Sequence, residues 1–412
     1  MKNTAKKLIN YLTKQLSAIE FKFTHRTSAQ HFTRESTTGN RKMSFKNTSL
    51  IVVNMVKKST KVETMDFYYE LDETLEPPSR QALSEARDKI SYLAFKDFAD
   101  KSFELAIAGE GAREYKGYRL FGIDGTSFVV GELSRLSKYF GESTTIAGKA
   151  MCRIGGIVDV LNECIVDAIV SPFATGERAL ALIQIEKLKY VENALYLFDR
   201  GYWKPELIKA IVMNNQKFVM RLPSNVRNTV VKDDSGNIIP LRKHSFTLPC
   251  GQVETLLTNL TEDEVSDAEL EALYTKRWGI ETKYLELKDR LQIDKLSGKT
   301  ENIVLQDIYA TLFISNLVAF TCFEADEIIA ENTMHKNNKY KQKANRSTCI
   351  SAYRRRFVKI CLIESDSKRE FAIQRLCRDI SKDVTYIHKS KPRQRNLRQL
   401  KQSRLGAVKC IL

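Results

Sequence analysis

The sequence predicts an α/β fold in which helices flank a mixed five-stranded sheet. Five short apolar runs carry this prediction, and they lie between residues 118 and 222: YRLFGID, RIGGIVDV, CIVDAIVS, ALYLFDRGY and KFVMRL. Helical patterns over 174–188 and 204–214 separate the last three runs. The first three runs are close neighbours, and Leu161-Asn162-Glu163 between the second and third predicts a hairpin turn.

Residues 1–105 are predicted to form a helical and basic region. Leu8, Ile9 and Leu12 keep the spacing of one helix face, and Ser79 is well placed to cap a later helix. Small basic helical segments ahead of a larger domain often bind duplex DNA through phosphate contacts. We therefore expect this region to bind DNA.

The larger domain is predicted to span residues 106–333. Within it, residues 223–262 break the alternation of strands and helices, and β-like runs around a turn signal predict an all-β insertion. The apolar run Ile308–Phe323 is shorter than the roughly 20 residues of a membrane span, so it predicts a buried helix. Residues 334–412 form a basic C-terminal region with a charged tail, which we expect to lie along DNA; a solvated charged segment is the alternative.

The charge balance predicts a polyanionic partner. Sixty-six Lys and Arg against fifty Asp and Glu give a formal net charge of +16 at pH 7, which favours nucleic acid over a membrane. Eight cysteines are scattered without a CxxC pair, which argues against a zinc site or a disulfide scaffold and favours a reducing compartment. The N-terminus has no apolar signal core. We therefore expect a cytoplasmic, nucleoid-associated protein without a membrane partner.

The segment Ser266–Leu291 is predicted to be one long helix. Ser266 can cap its start, and Glu269 three residues later completes a capping box. The segment contains no Pro and only one Gly.

One face of this helix combines a carboxylate with two cations and a phenol. Tyr274, Glu281 and Lys288 are spaced seven apart and form a stripe, and Arg277 lies beside Tyr274. A solvated charged face would explain the pattern if the helix stood alone.

Two upstream aspartates favour a functional site instead. Asp124 in IDGT and Asp199 in DRGY are predicted to end strands, which is where α/β sheets present functional side chains. Each alone could be a turn residue. Three carboxylates that include Glu281 would repel by roughly 4 kcal/mol per pair at about 4 Å and an effective dielectric of about 20. Such a cluster is tolerable when it holds a divalent cation such as Mg²⁺.

These motifs together resemble the insertion-sequence-four family of DDE transposases, which have a ribonuclease-H-like catalytic domain. The residues that match the family spacing Y-x2-R-x3-E-x6-K are Tyr274, Arg277, Glu281 and Lys288. Asp124 and Asp199 match the two aspartates of the family, and the likeness covers about residues 32–323.

The resemblance implies cut-and-paste transposition of a bacterial insertion sequence by strand cleavage and strand transfer. Asp124, Asp199 and Glu281 would bind two Mg²⁺ ions, for which Mn²⁺ can substitute. Water would attack at the end of the element, and the freed 3′-hydroxyl would join target DNA, with or without a hairpin intermediate.

The resemblance also implies the DNA contacts. The residues expected to hold phosphate are Tyr274, Arg277, Lys288 and, more weakly, Arg200, for which an ion pair with a neighbouring carboxylate is the alternative. The partners would be double-stranded DNA, at the terminal inverted repeats and at the target, and a second copy of the chain in a homodimer. Residues 1–105 would bind the element ends.

Two tryptophans bear on the hairpin step, because some relatives stack a flipped base on this side chain. The β insertion has none; Trp278 is interpreted as a core residue, and Trp203 fits either role. Two other functions stay open: a catalytically inactive DNA-binding relative and a stand-alone nuclease of the same fold.

Overall fold

A computed structural model describes residues 1–32, 43–54, 57–143, 146–248, 250–336 and 338–387. The charged tail predicted at the C-terminus begins at residue 388 and lies outside the described residues. In the described part of the chain, these helices precede the sheet: α1 (Thr4–Ser17), α2 (Ile19–Thr24), α3 (Phe45–Asn54), α4 (Thr60–Leu71), α5 (Arg80–Asp88) and α6 (Leu93–Ile107). Ser79 caps α5 as predicted, since its hydroxyl accepts the Ala82 N–H at 3.1 Å.

The sheet contains all five predicted strands and two more. The strands are β1 (Arg119–Glu132), β2 (Lys149–Asp159), β3 (Cys164–Pro172), β4 (Ala194–Phe198), β5 (Lys217–Arg221), β6 (Arg242–Thr247) and β7 (Val253–Thr258). Their order is β3-β2-β1-β4-β5-β7-β6. Strands β1, β4 and β5 run parallel, whereas β2, β3, β6 and β7 pair antiparallel with their neighbours.

The predicted β insertion enlarges the sheet from five strands to seven. Strand β7 pairs with β5, and β6 pairs with β7. The insertion therefore covers the edge of β5, whose backbone donors and acceptors would otherwise lack partners. The helices beside the sheet are α7 (Leu133–Phe140), α8 (Glu177–Lys187) and α9 (Pro205–Met213).

The predicted long helix is divided into three pieces, so the prediction of one continuous helix is wrong. The pieces are α10 (Asp267–Thr275), α11 (Trp278–Leu285) and a π-helical turn (Glu286–Arg290). The predicted capping box is present, with the Ser266 N–H donating to Glu269 Oε2 at 3.0 Å. In the π turn the Leu291 N–H reaches the Glu286 carbonyl at 3.0 Å, a span of five residues.

A long central helix, α12 (Glu301–Thr333), carries the core. It is long and apolar enough to cross a membrane by length and composition, but 94% of its apolar window is buried inside the protein. This confirms the predicted buried helix at Ile308–Phe323. The elements that follow are β8 (Lys341–Ala344), α13 (Arg346–Leu362), α14 (Asp366–Ile380) and β9 (Val384–Ile387).

Two hydrophobic clusters form the core of the described residues: a smaller one packs α10 against β1, β4, β5 and β7, and a larger one joins most of the other helices to the sheet. The larger cluster includes residues of α1, of the sheet, of α12 and of α14. The domain boundaries at residues 105 and 333 stay predictions, and the described helices beyond them pack on the same central helix.

Asn316 ties the central helix to the outer strand β3. Its side chain accepts the Ile165 N–H at 2.7 Å and donates to the Ile165 carbonyl at 2.8 Å and to Ser102 Oγ at 3.0 Å. Asn316 is fully buried, so these edge groups have no water to bind instead.

We expect Asn316→Ala to lower the free energy of unfolding by roughly 2–4 kcal/mol, because it leaves buried backbone groups of β3 unsatisfied. Urea unfolding followed by circular dichroism measures the change. Asn332→Ala, at an exposed position of the same helix, should change stability by less than about 0.5 kcal/mol. Equal losses in the two variants would contradict the role of Asn316.

Candidate active site

Asp124 and Asp199 occupy neighbouring positions in the sheet. Ile123 of β1 pairs with Phe198 of β4 in parallel register, and the next residue along each chain is an aspartate. Asp199 follows the end of β4 as predicted. Asp124 does not end its strand, because β1 continues to Glu132 paired with β2. The parallel pairing of β1 with β4 nevertheless stops just before Asp124, so the two aspartates meet at the same place.

The surroundings of Asp124 disfavour its charge. Burial raises the pKa of Asp124 to about 6, and the nearby carboxylates of Glu177 and Glu281 add to the increase. The Gly125 N–H, which donates to Asp124 Oδ1 at 2.9 Å, and the charge of Arg277 act in the opposite direction. Asp124 therefore lies within the electrostatic reach of two carboxylates and one guanidinium.

Helix α11 lies directly on β1 at this point. The Tyr284 hydroxyl donates to the Asp124 carbonyl at 2.6 Å. A Cβ added at Gly122 would lie 3.3 Å from the Cβ of Ile280, so the lack of a side chain there permits the close approach. The contact holds Glu281, the residue after Ile280, above the same end of the β1–β4 pair.

Arg277 occupies the space among the acidic groups. Its Nη2 donates to Glu281 Oε1 at 2.8 Å, and the side chain is buried. Burial would lower the pKa of Arg277, but the charges of Tyr274, Glu281 and Asp199 outweigh it and raise the pKa. The guanidinium carbon lies 5.5 Å from the ring centroid of Trp278 and 5.9 Å from that of Tyr274.

Among the described residues, the carboxylate of Asp199 has fewer hydrogen-bond partners than that of Glu281. Its Oδ1 lies 3.4 Å from Arg221 Nη2, yet this buried oxygen accepts no hydrogen bond from any described residue. An orphaned buried acceptor of this kind is satisfied when a cation binds.

The three acidic side chains supply donor atoms that suit a magnesium ion. As the side chains stand, no group of three or more His, Cys, Asp and Glu residues in the described ranges could hold a metal ion. Asp124, Asp199 and Glu281 nevertheless offer the hard oxygen ligands that Mg²⁺ prefers. The guanidinium among them supplies the positive charge that a metal ion would otherwise supply.

The remaining predicted phosphate-binding residues surround this group. Lys288 Nζ lies 3.5 Å from the Ser127 carbonyl oxygen, further along β1. Tyr274 is buried, and burial raises its pKa to about 12. Arg200 is exposed and makes no ion pair with any residue that the structure describes, so the alternative of an ion pair finds no support there.

An ionic network anchors the π turn that carries Lys288. Buried Glu286 accepts Lys283 Nζ at 2.9 Å and pairs with Arg346 of α13. Arg346 Nη1 also donates to Glu163 Oε2 at 2.8 Å, in the turn between β2 and β3. Burial would raise the pKa of Glu286, but Lys283 and Arg346 outweigh it and lower the pKa to about 2. The C-terminal region thus fixes the position of the turn.

The sequence analysis missed one acidic residue of the site and misplaced one aromatic residue. Glu177 begins α8, and a Cβ added at Gly125 would lie 2.7 Å from its carboxyl carbon, so this carboxylate lies close over the strand at Asp124. Nothing in the local sequence distinguishes it from an ordinary first-turn glutamate. Trp278, interpreted as core, is 48% exposed, because α11 buries the face that contains Ile280. Trp203 packs partly buried against the core.

The fold and the site define a ribonuclease-H-like protein with an acidic centre at the junction of β1, β4 and α11. A family profile described as "Transposase DDE domain" matches residues 115–317. A solved structure, the cryo-EM structure of the piggyBac transposase synaptic complex with hairpin DNA, superposes with a TM-score of 0.50 at 14% identity. That superposition covers 91% of this chain and 84% of the other.

Two curated relatives match part of the chain. A candidate transposase for insertion sequence element IS4SA, from Synechocystis sp., is 31% identical over 139 residues, which are 31% of this chain and 40% of the relative. The candidate transposase y4zB of Sinorhizobium fredii is 29% identical over 155 residues and is covered to 43%. The match therefore spans about two fifths of each relative's length. Residues 115–317 of this chain match the DDE transposase domain, and the matches are consistent with the insertion-sequence-four family.

The raised pKa of Asp124 predicts a pH-dependent effect on stability. A carboxyl whose pKa is higher in the folded protein opposes folding at pH values above that pKa, and the effect disappears as the pH falls below the ordinary value of 3.8. We expect Asp124→Asn to raise the free energy of unfolding of the metal-free protein by roughly 1–3 kcal/mol at pH 8. The gain should shrink as the pH falls through about 6.

Urea unfolding in the presence of a chelator, at pH 8 and at pH 5, measures this difference. Asp66→Asn is the control, because Asp66 is an exposed residue paired with Lys58 and should change stability by less than about 0.5 kcal/mol at either pH. A destabilised Asp124→Asn protein at pH 8 would contradict the prediction.

Proposed function

We propose that this protein is an active transposase that cleaves and joins DNA strands in the cut-and-paste transposition of an insertion sequence. The observation that carries the proposal is the juxtaposition of Asp124 and Asp199 with the segment 274–288, which contains the complete tyrosine, arginine, glutamate and lysine spacing. The matches to candidate insertion-sequence transposases support it.

The acidic residues would hold the metal. Asp124, Asp199 and Glu281 supply oxygen ligands for two Mg²⁺ ions, or for Mn²⁺ in their place. When bound, such ions activate a water or 3′-hydroxyl and stabilise the leaving oxygen of an in-line phosphoryl displacement. Glu281 must leave Arg277 to take part, and α11 keeps its backbone in place through the bond from Tyr284 to Asp124.

The cations and the phenol would position the DNA backbone. Arg277 can bind a phosphate with its two-pronged guanidinium, and Lys288 can do so as a point charge further along β1. Tyr274 lies beside Arg277, and Arg200 is exposed at the end of β4. Trp278 is exposed next to Arg277 and is the tryptophan that a base unstacked at this site would meet first.

The proposed partners are double-stranded DNA at the terminal inverted repeats, target DNA, and a second copy of the chain. The net charge of +16 supports a DNA partner. The solved neighbour of similar fold is a synaptic complex with hairpin DNA. An inactive DNA-binding relative would not need all three carboxylates, and a stand-alone nuclease would not need the basic helical region ahead of the sheet.

A cleavage assay on the terminal repeats of the element, with Mg²⁺, tests the proposal. We expect Glu281→Gln to reduce strand nicking by more than about a hundredfold, because losing even an indirect partner of a metal ligand costs 10–100-fold. Binding of the ends in a gel-shift assay should persist. Glu271→Gln, which changes a partly exposed glutamate of α10 bonded to His244, should leave nicking unchanged. Equal nicking by the Glu281→Gln and wild-type proteins would refute the proposed metal role.

Lys288→Ala should weaken duplex binding in a salt-dependent way. The plot of log affinity against log salt concentration should lose about one unit of slope, as expected when one phosphate contact is lost. Fluorescence anisotropy over a range of salt concentrations measures the slope. Lys189→Ala is the control. Lys189 is an exposed lysine just after the C-terminal end of α8, whereas Glu177 begins that helix, so this variant should keep the wild-type slope. An unchanged slope for Lys288→Ala would argue against its phosphate contact.

A further inference from the structure

We infer that Arg277 is the resident cation of the acidic site, and that divalent metal displaces it from Glu281 and frees it to hold DNA phosphate. The inference rests on the proposed function and adds a sequence of binding steps to it. The metal binds first, and Arg277 then binds the DNA phosphate. The inference therefore predicts that Arg277 weakens metal binding even in the absence of DNA.

The ion pair between Arg277 and Glu281 is the first observation. Nη2 and Oε1 are 2.8 Å apart, and the arginine is only 6% exposed. A carboxylate so engaged presents fewer lone pairs to another cation. Metal binding through Glu281 therefore competes directly with this pair.

Arg277 also has an unused donor. Its Nε is buried and makes no hydrogen bond to any described residue. Buried donors normally find partners, so one left open next to a guanidinium fork is suited to an incoming acceptor. A phosphate, which can accept two parallel N–H bonds, satisfies that requirement better than the single contact to Glu281.

Two neighbouring arginines, Arg221 and Arg153, bond to other groups. Arg221 Nη1 bonds Glu254 at 2.5 Å, and Arg153 Nη1 donates to the Thr175 carbonyl at 2.6 Å. Each also faces one acidic residue of the site, at 3.4 Å from Asp199 for Arg221 and 3.7 Å from Glu177 for Arg153. Among the described cations, Arg277 alone forms an ion pair with the helix carboxylate Glu281.

The Arg277 guanidinium and the divalent metal ions exclude one another on electrostatic grounds. Arg277 offsets the repulsion among Asp124, Asp199 and Glu281 when no metal is bound, since buried like charges need a counter-charge. Two divalent ions would supply more positive charge than the carboxylates need, and the guanidinium would then be repelled. Arg277 immediately precedes α11 and lies beside the exposed Trp278, so we expect its side chain to turn outward while the backbone stays in place.

The test is Mn²⁺ binding to the full chain without DNA, measured by isothermal titration calorimetry. Arg277→Gln removes the competing charge, and we expect it to tighten Mn²⁺ binding about tenfold or more. Arg277→Lys keeps the charge and should stay within about threefold of the wild-type protein. Arg242→Gln is the matched control: Arg242 bonds Glu262 and the Val265 carbonyl in the insertion, and its substitution should leave Mn²⁺ affinity unchanged. Unchanged or weaker Mn²⁺ binding by Arg277→Gln would overturn the inference.

A second measurement keeps the inference testable if Arg277→Gln does not fold. Wild-type affinity for a random-sequence duplex, measured by anisotropy at constant ionic strength, should rise when Mn²⁺ is added, and the gain should vanish in Glu281→Gln. A wild-type protein whose duplex affinity does not rise with Mn²⁺ would overturn the inference. Mn²⁺ binding that Glu281→Gln leaves intact would instead overturn the metal role of Glu281 in the proposed function, so the two failures are distinguishable.

Discussion

The seating of α11 on β1 is the contact on which the site depends. A strand at the centre of a sheet is rigid, and the Tyr284 hydroxyl fixes the helix to the carbonyl of Asp124 itself. The same strand sets the position of Asp199, because β1 and β4 are paired up to the residues before the two aspartates. One strand therefore positions all three carboxylates, although they are separated by more than 150 residues of sequence.

These carboxylates repel one another when they are brought together, and the positive charge of Arg277 offsets the repulsion. The raised pKa of Asp124 shows that burial and neighbouring carboxylates already disfavour its ionised form. Without a counter-charge, the site would reach neutrality by taking up protons and would lose the anionic ligands that a metal requires. Arg277 provides a counter-charge to Glu281 through a charge-assisted hydrogen bond. The two roles that we propose for Arg277, as counter-charge to the carboxylates and as phosphate ligand, therefore use the same guanidinium.

Local patterns predicted much of the fold, and long-range packing decided the rest. The five strands, the helices over 174–188 and 204–214, and the capping box of Ser266 all rest on spacing within a few residues. The β runs of the insertion were predicted locally, but their pairing with the main sheet depends on the open edge of β5, which no local pattern reveals. The exposure of Trp278 depends on which face α11 turns to the sheet. Glu177 belongs to the site only because β3 and α8 return it to Gly125, a contact between residues 52 positions apart (177 minus 125).

The C-terminal region also helps to position the site, through a buried ionic network. Removing one member of a buried ion pair leaves an uncompensated charge, so such networks hold their elements in one arrangement even when they add little net stability. Here Arg346 links the π turn to the hairpin of β2 and β3 through Glu286 and Glu163. A π turn is a local irregularity that an isolated helix would not keep. The ionic contacts with Arg346 of α13 therefore explain why the π turn persists after Glu281. The distance between Glu281 and Lys288, which lies in the turn, is thus a property of the whole chain rather than of the helix alone.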